Sequence, residues 1–369
     1  MGEWQRENIM ILCKSLNMKG RVRKTDYLEK GSTPVVDQSE SFIAGYIDDK
    51  AVFSDPPYIL FGDHTRIIKF IDFPFSPGAD GVKILKAGDK IDSCFLAYYL
   101  RYNPVQDLGY SRHFKLLKEL EIPLPPLGEQ KRIAEILGGV SKAIHAVEQQ
   151  LQLVESACVN SFERKFNLEM QNGARDASSI ADFIESTQYG TSKKAKEDGN
   201  IPILRMGNVT YSGKIDMTDL KYIDLDEREL EKFSLKNGDL LFNRTNSVEL
   251  VGKTAVFESI PDQIISYAGY LVRARVNADS NPYYVSGYLN SPSGKAQLRL
   301  RAKAIVGMAN INAREFLSLE IPAATKEEQE EFAHLFEKCE KIRHLLHRKL
   351  SLLQELQKSL ATRAFAGLL

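Results

Sequence analysis

The stretch IPLPPLGEQKRIAEILGGVSKAIHAVEQQLQLVESACVNSFERKF, from Ile122 to Phe166, decides the fold. Its apolar residues recur in alternating steps of four and three, which is the a/d spacing of a heptad helix that packs against a partner helix. We call this stripe the seam of the helix. Its members are Ile133, Leu137, Val140, Ile144, Val147, Leu151, Val154 and Cys158.

A second copy begins at Glu320 and reads EIPAATKEEQEEFAHLFEKCEKIRHLLHRKLSLLQELQKSL. A shift of 199 positions places Ile122-Pro123 on Ile321-Pro322 and Glu129-Gln130 on Glu328-Gln329. The sequence therefore predicts a tandem pseudo-repeat, in which each globular half is followed by a long helix. The seam of the second helix, which Arg343 interrupts, consists of Phe332, Phe336, Cys339, Leu346, Leu350, Leu353 and Leu360.

The starts of both helices are marked in the sequence. Thr325 stands three residues before Glu328, which is the spacing of a capping box, and Pro125-Pro126 cannot continue a helix backward. A helix from Gly128 to Phe166 would be about 55 Å long at 1.5 Å per residue. Two such helices packed together would hold the globular halves at a fixed separation.

The globular halves read as strand-rich, so the predicted fold class is α+β. Short apolar runs alternate with Gly, Pro and Asp, as at Tyr58–Phe61, and Cys94–Arg101 reads as a short helix. We predict four segments: a first globular domain (1–120), a central helix (121–170), a second globular domain (171–319) and a carboxy-terminal helix (320–369).

The composition excludes several classes of protein. Lys and Arg number 49, as do Asp and Glu, so any basic surface for nucleic acid must be local or be supplied by partner subunits. Four widely spaced cysteines indicate neither disulfides nor a zinc site. Neither a long apolar run nor a signal peptide is present, so we expect a cytoplasmic protein with no membrane partner.

The string Asp55-Pro56-Pro57-Tyr58 matches the signature of amino-DNA methyltransferases. The alternative is a turn leading into a strand. We favour the turn, because the chain has no glycine-rich strand-to-helix turn for the methyl donor. The six histidines form no catalytic or metal-binding set, so no catalytic residue and no metal site are predicted.

Four loops carry the residue types that read base edges and contact phosphates, which are Arg, Asn, Gln, Lys and small hydroxyls. Solvated loops with ordinary turn chemistry are the alternative. The predicted DNA-binding residues are His64, Thr65, Arg66, Lys69, Arg112 and His113 in the first half, and Tyr189, Thr191, Ser192, Lys193, Lys194, Arg244, Thr245, Asn246, Ser247 and Lys253 in the second.

A further basic stripe is predicted on one helix. Lys295, Arg299 and Lys303 recur every four residues and would contact phosphates if they lie on a helical face; a merely solvated face is the alternative.

The chain resembles the specificity (S) subunits of type I restriction–modification systems. The resemblance rests on IPLPPLGEQKRIAEIL (122–137), EIPAATKEEQEEFAHLF (320–336) and SLLQELQKSLATRAFAGLL (351–369), together with NGDLLFNRTNS (237–247) and LFGDHTRIIKF (60–70). In the second copy Ala324 and Thr325 replace the two prolines, which affects the geometry of the helix start.

The resemblance implies two target recognition domains joined by an antiparallel, coiled-coil pair of helices. Each domain would read one half of a split sequence in double-stranded DNA. It also implies docking of two methyltransferase (M) subunits and of restriction (R) subunits, so that S-adenosylmethionine, ATP and Mg would be used by the partners and no cofactor by this chain.

Three alternatives to this function remain open. They are the specificity subunit of a related type II system that cuts on both sides of its site, a stand-alone adenine methyltransferase, and a scaffold that binds proteins only.

Overall fold

The computed structural model describes residues 4–17, 20–78, 81–109, 111–305 and 308–369, and of residues 303–305 the backbone alone. The chain forms two compact units. The first combines Met1–Glu148 with Arg348–Leu369, and the second is the continuous segment Gln149–His347. The four predicted segments are a finer division, which stays a prediction.

The first unit is built around a four-stranded antiparallel sheet of order β2-β8-β5-β6, with a smaller sheet β4-β3-β7 and the pair β1-β9. Its elements are β1 (Arg6–Asn8), α1 (Ile9–Leu12), β2 (Cys13–Leu16), β3 (Thr33–Val36), β4 (Gly45–Ile47), β5 (Tyr58–Gly62), β6 (Ile68–Ile71), β7 (Ser76–Pro77), β8 (Val82–Ala87), α2 (Ser93–Tyr102), α3 (Phe114–Lys118), β9 (Glu121–Pro123) and the beginning of α4 (Leu127–Phe162).

The second unit repeats this plan with a sheet β11-β18-β14-β16, a smaller sheet β13-β12-β17 and the pair β10-β21, and adds a sheet β15-β20-β19. The predicted duplication is therefore confirmed. Its elements are the end of α4, α5 (Leu168–Gln171), β10 (Ala177–Ser179), β11 (Ile184–Tyr189), β12 (Ile201–Leu204), β13 (Lys221–Ile223), α6 (Glu227–Phe233), β14 (Leu240–Asn243), β15 (Thr245–Asn246), β16 (Thr254–Val256), β17 (Ser266–Tyr267), β18 (Leu271–Val276), α7 (Pro282–Asn290), α8 (Pro292–Arg301), β19 (Lys303–Ile305), β20 (Met308–Asn310), α9 (Ala313–Leu317), β21 (Glu320–Pro322) and the beginning of α10 (Lys326–Phe365), whose end belongs to the first unit.

Side chains on the central strands alternate between two hydrophobic cores, because both faces of each main sheet are covered. On β5, Ile59 and Phe61 pack in the core that contains α2, whereas Tyr58 and Leu60 pack in a separate core with β3 and β7. The predicted strand at Tyr58–Phe61 and the predicted short helix, now α2, are both confirmed.

The two long helices pack through their predicted seams, since none of the predicted seam residues is exposed. In the second unit, Phe162 packs edge-on against Phe332 with ring centroids 5.0 Å apart, and Lys165 pairs with Glu331 at 2.6 Å. In the first unit, Gln357 donates to Ser141 at 2.6 Å. Higher numbers on α4 face lower numbers on α10, so the pair is antiparallel.

The predicted interruption of the second seam is visible in the second unit. Arg343 is half-buried and pairs with Glu340 at 2.7 Å, and Lys214 pairs with the same carboxylate at 2.7 Å. A cavity of about 1100 Å³ borders this point and is lined by Arg343, Phe336 and Tyr283 among others. The helix therefore contacts the globular part here through the Lys214–Glu340 ion pair as well as through the Phe336 ring, which packs against Tyr283 with centroids 5.3 Å apart.

A buried glutamine fixes the start of each long helix. Gln130 accepts a hydrogen bond from the Asp92 backbone N–H at 2.7 Å and donates to the carbonyls of Lys90 (3.1 Å) and Pro125 (2.8 Å). Asp92 is the residue that caps α2. The glutamine thus ties the helix start to the short helix of its own unit.

The repeat copies this arrangement. Gln329 accepts from the backbone N–H of Asn281, the cap of α7, at 2.9 Å and donates to the carbonyls of Asp279 (3.5 Å) and Ala324 (3.1 Å). The predicted capping box is also present, with Thr325 N–H donating to Glu328 at 3.0 Å and Glu328 N–H donating to Thr325 Oγ1 at 3.3 Å.

Each long helix ends on an aromatic cluster of a globular part. Phe365 packs on Phe95 and Tyr99 of α2 in the first unit, and Phe166, in the π-helical turn that follows α4, packs on Tyr284 of α7 in the second. Within the described residues, none of the helices is both long and apolar enough to span a membrane.

Candidate nucleic-acid interface

In the first unit, the two predicted loops lie together. The backbone N–H of His113 donates to the carbonyl of Asp63 at 2.8 Å, and the His64 ring lies 3.2 Å from the carbonyl of Ser111. The hairpin between β5 and β6 is also held by Gln38, which accepts from the His64 backbone N–H at 3.1 Å. Sequence reasoning missed Gln38, because no local pattern places it beside this loop.

Arg66 is at the turn of this hairpin, with a left-handed φ of 60°. Its guanidinium pairs with Asp107 at 2.5 Å and donates to the carbonyl of Val105 at 3.2 Å. Thr65 donates through its hydroxyl to the carbonyl of Gln38 at 3.0 Å, and Arg112 is exposed. Reading a base with Arg66 would require release of Asp107, whereas Arg112 is accessible.

Two predicted contact residues of the first unit lie inside it. His113 is fully buried, its Nε2 accepting from the Leu108 N–H at 3.0 Å and its Nδ1 lying 3.0 Å from the Asp63 carbonyl. Lys69 is 3% exposed, and its ammonium donates to the carbonyl of Ser41 at 2.5 Å. Burial lowers the pKa of Lys69. Both side chains hold the loops in place through hydrogen bonds to backbone groups. Their contact with DNA stays a prediction.

In the second unit, the two predicted loops also meet. The guanidinium of Arg244 lies over the ring of Tyr189 with 4.8 Å to its centroid, and the Tyr189 hydroxyl accepts from the Ala313 N–H at 3.1 Å. Tyr189 is 40% exposed. A planar guanidinium stacked on an aromatic ring is held in a fixed plane, which suits recognition of a base edge.

The residues next to Arg244 in the chain are partly or fully buried. Thr245 accepts from the Asn310 side chain at 3.2 Å, across the β15-β20 pair. Asn246 and Ser247 are half-buried and continue the same turn. Asn243, which begins the turn, is fully buried, and its Oδ1 accepts no hydrogen bond from the residues that the structure describes.

The loop after β11 divides into buried and exposed residues. Thr191 is 4% exposed and its backbone N–H donates to the Tyr267 carbonyl at 3.1 Å. Lys193 is exposed but pairs with Glu229 at 2.5 Å. Ser192 and Lys194 are exposed. Ser192 and Lys194 are therefore accessible as they stand, whereas Lys193 would first have to release Glu229.

The predicted basic stripe is only partly on a helix. Lys295 and Arg299 lie on α8, which ends at Arg301, and Lys303 belongs to strand β19. The prediction for Lys303 was wrong because the chain leaves the helix at Ala302, the carboxy-terminal cap. Lys295 is 8% exposed, and Arg299 is exposed.

The methyltransferase-like string is structural. Tyr58 is 6% exposed and packs against Phe53 and Phe75, with centroid distances of 5.3 and 5.8 Å. Its hydroxyl accepts from the Asp55 N–H at 3.1 Å, and the Asp55 carboxylate pairs with Lys86 at 3.2 Å. The described residues contain no group of three or more His, Cys, Asp or Glu that could hold a metal ion.

Comparison with known proteins agrees with this architecture. Residues 1–156 match the family model described as type I restriction modification DNA specificity domain. The chain is 27% identical over 312 residues to the EcoKI specificity subunit of Escherichia coli K12, which covers 77% of this chain and 67% of that protein. It is 28% identical over 188 residues to the putative MjaX specificity subunit of Methanocaldococcus jannaschii, which covers 50% of this chain and 44% of that protein.

A solved structure has the same fold over nearly the whole length. The S subunit of a type I restriction–modification system from M. genitalium superposes with a TM-score of 0.64 at 14% identity, over 98% of this chain and 96% of that one. The family match, the relatives and the duplicated fold lead to one conclusion. The chain is similar in sequence to type I restriction–modification specificity subunits, and over nearly its whole length it has the fold of a solved one.

Proposed function

We propose that this chain is the DNA-specificity subunit of a type I restriction–modification complex, in which each unit reads one half of a split target in double-stranded DNA. The observation that supports this most directly is the duplicated sheet with different loops on each copy. The hairpin of β5 and β6 carries Arg66, and the corresponding turn after β14 carries Arg244 stacked on Tyr189. Two copies of one scaffold with different side chains suit two different half-sites.

The exposed apolar face of α10 supports docking of methyltransferase subunits on the helices. Leu335, Ile342, Leu345, Leu352 and Leu356 are between 37% and 64% exposed. They recur in steps of seven, three, seven and four, so they form a second heptad stripe in addition to the seam. A solvent-exposed heptad stripe is the surface on which another helix packs.

The catalytic steps then belong to the partners. Methyltransferase subunits, proposed as two copies, would use S-adenosylmethionine, and restriction subunits would use ATP and Mg. The proposed place of action is the cytoplasm, where such a complex meets DNA.

The decisive experiment is to co-express the chain with its methyltransferase partner and to map methylated adenines across a genome. We expect one motif of two defined half-sites separated by a fixed gap. A continuous motif, or no sequence-specific methylation, would refute the proposal. Binding of labelled S-adenosylmethionine by the purified chain alone would favour the methyltransferase alternative.

Substitution of one predicted base-contacting residue tests whether each unit recognises its own half-site. Arg244→Ala should relax or abolish recognition of the second half-site while the first stays defined, because a bidentate contact contributes about 1–3 kcal/mol of discrimination. Arg228→Ala removes an exposed arginine of α6 in the same unit and is the matched control. Equal loss of recognition at both half-sites would instead assign Arg244 a general role in phosphate contact or in the stability of the protein.

A further inference from the structure

Two neighbouring lysines of the second unit are buried. Lys253 is 7% exposed and donates to the Met206 carbonyl at 2.8 Å; Lys295 is 8% exposed and lies 3.4 Å from the Gly252 carbonyl. Neither forms an ion pair within the part of the chain that the structure describes. A buried ammonium held only by neutral carbonyls keeps most of its charge uncompensated.

Two more groups complete the cluster. Tyr211 is 48% exposed, and its ring centroid lies 5.0 Å from the Lys295 ammonium. Arg299 is exposed and donates to the Tyr211 hydroxyl at 3.3 Å. Tyr211 and Arg299 are therefore the outermost groups, with the two lysines beneath them.

The electrostatics of the cluster are dominated by like charges. Burial, chiefly, together with the neighbouring charges of Lys253 and Arg299, lowers the pKa of Lys295 to about 8. Burial also lowers the pKa of Lys253. Glu249 is exposed, and its pKa is lowered chiefly by hydrogen bonds from its own backbone N–H and from Ser247, with a smaller effect of Arg299. Lys295 and Arg299 thus contact the same tyrosine, and Lys253 adds a third positive charge beside Lys295.

The position of the cluster relates it to the predicted reading loop. Lys253 closes the turn that carries Arg244, since the Asn243 N–H donates to the Lys253 carbonyl and the Gly252 N–H donates to the Asn243 carbonyl, each at 2.8 Å. An anion seated on the cluster would therefore lie at the base of this turn. Phosphate contacts fix the register of a protein on a duplex, and base contacts then specify the sequence.

We propose that Tyr211, Lys253, Lys295 and Arg299 form a phosphate-binding site that seats one backbone phosphate of the DNA at the base of the Arg244 turn. This proposal rests on the proposed function. Arg299 and the Tyr211 hydroxyl contact the phosphate directly, and the lysines supply positive potential from below. The site sets the register of the second unit and carries no base preference of its own.

The test uses the complex with its methyltransferase partner and duplexes with and without the mapped target, over a series of salt concentrations. Arg299→Gln should weaken binding to both duplexes by the same factor and reduce the slope of log K against log salt by about one. Arg228→Gln removes the same charge from α6 and should leave the slope unchanged. The mapped methylation motif should be identical in all three proteins.

Lys295→Met separates a binding role from a structural one. Removing a buried uncompensated charge should leave the melting temperature of the free chain unchanged or higher, while DNA affinity falls several-fold. The affinity of the wild type should also fall as the pH rises from about 7 to 9 and Lys295 loses its proton, and Lys295→Met should lose most of this dependence. The charged and titratable groups around Lys295 are Lys253, Arg299 and Tyr211.

The experiments distinguish failure of the phosphate-binding site from failure of the proposed function. If the wild-type complex shows no preference for its target, the proposed function fails and this site fails with it. If the wild type binds its target but Arg299→Gln keeps the full salt slope, the site alone is refuted. A lower melting temperature for Lys295→Met with unchanged affinity would make Lys295 a structural residue and would also overturn the proposal.

Discussion

Gln329→Ala should destabilise the second unit by about 3 kcal/mol, because three hydrogen bonds at a buried position end on this one side chain. The backbone N–H of Asn281 and the carbonyls of Asp279 and Ala324 would lose their partner. A typical intramolecular hydrogen bond contributes about 1 kcal/mol net, and groups left buried without a partner raise the loss further. Gln329 is 3% exposed, so water cannot readily replace it.

Hydrogen exchange followed by mass spectrometry measures this loss in each unit separately. About 3 kcal/mol corresponds to a roughly hundredfold faster exchange of the most protected amides. We expect this acceleration in peptides of β14 and β18 for Gln329→Ala, and in peptides of β5 and β8 for Gln130→Ala. Gln354→Ala, at an exposed position of α10, is the control and should change exchange by no more than about twofold.

The reasoning would be refuted if Gln329→Ala changed exchange no more than the control, since the three bonds would then contribute nothing net. An equal acceleration in both units would contradict the assignment of each glutamine to the start of its own helix.

Further predictions concern pH, thiol chemistry and helix length. Hydrogen bonding to Arg175, chiefly, lowers the pKa of Glu328 to about 2. The ionised Glu328 carboxylate therefore stabilises the second unit fully above about pH 5, and this stabilisation is lost as the pH falls toward 2. The free energy of unfolding of the second unit, measured in urea, should fall by up to about 2 kcal/mol over that range, after allowance for solvent screening. Glu328→Gln should remove this pH dependence. A free energy of unfolding that does not change with pH in the wild type would contradict the prediction. Burial and the adjacent Cys339 raise the pKa of Cys158 to about 12, so iodoacetamide at pH 8 should label it far more slowly in the folded chain than in urea. Deleting one heptad from both long helices should shorten them by about 10 Å and the preferred gap by about three base pairs, and an unchanged gap in the methylation map would end the idea that the helices set it.

The helices and the duplication were predictable from the sequence because heptad spacing reports directly which side chains are covered. Residues such as Ile133, Leu137 and Phe332 lie on the seam as predicted. The division into contact units was not predictable, because periodicity does not tell which globular part each portion of a helix packs against. That choice depends on aromatic contacts such as Phe365 with Tyr99, which join residues far apart in the chain.

The candidate interface was predictable in its loops and less so in its individual residues. Composition identifies cations and amides but not whether they point outward, and Lys69, Lys253 and His113 are buried. Their partners are backbone carbonyls and a backbone N–H supplied by other segments. Tyr211 was missed for the same reason, since only the fold brings it to Lys295.

The discontinuity of the first unit has a consequence for synthesis on the ribosome. Ala361, Ala364 and Phe365 pack in the core formed by the amino-terminal strands and α2. Those strands emerge first, but the residues that close their core are translated only after the whole second unit. The second unit, by contrast, is a single continuous segment. In a nascent chain, Phe95 and Tyr99 therefore lack their contact with the Phe365 ring until that residue has been translated, so the core of the first unit closes after the second unit has been synthesised.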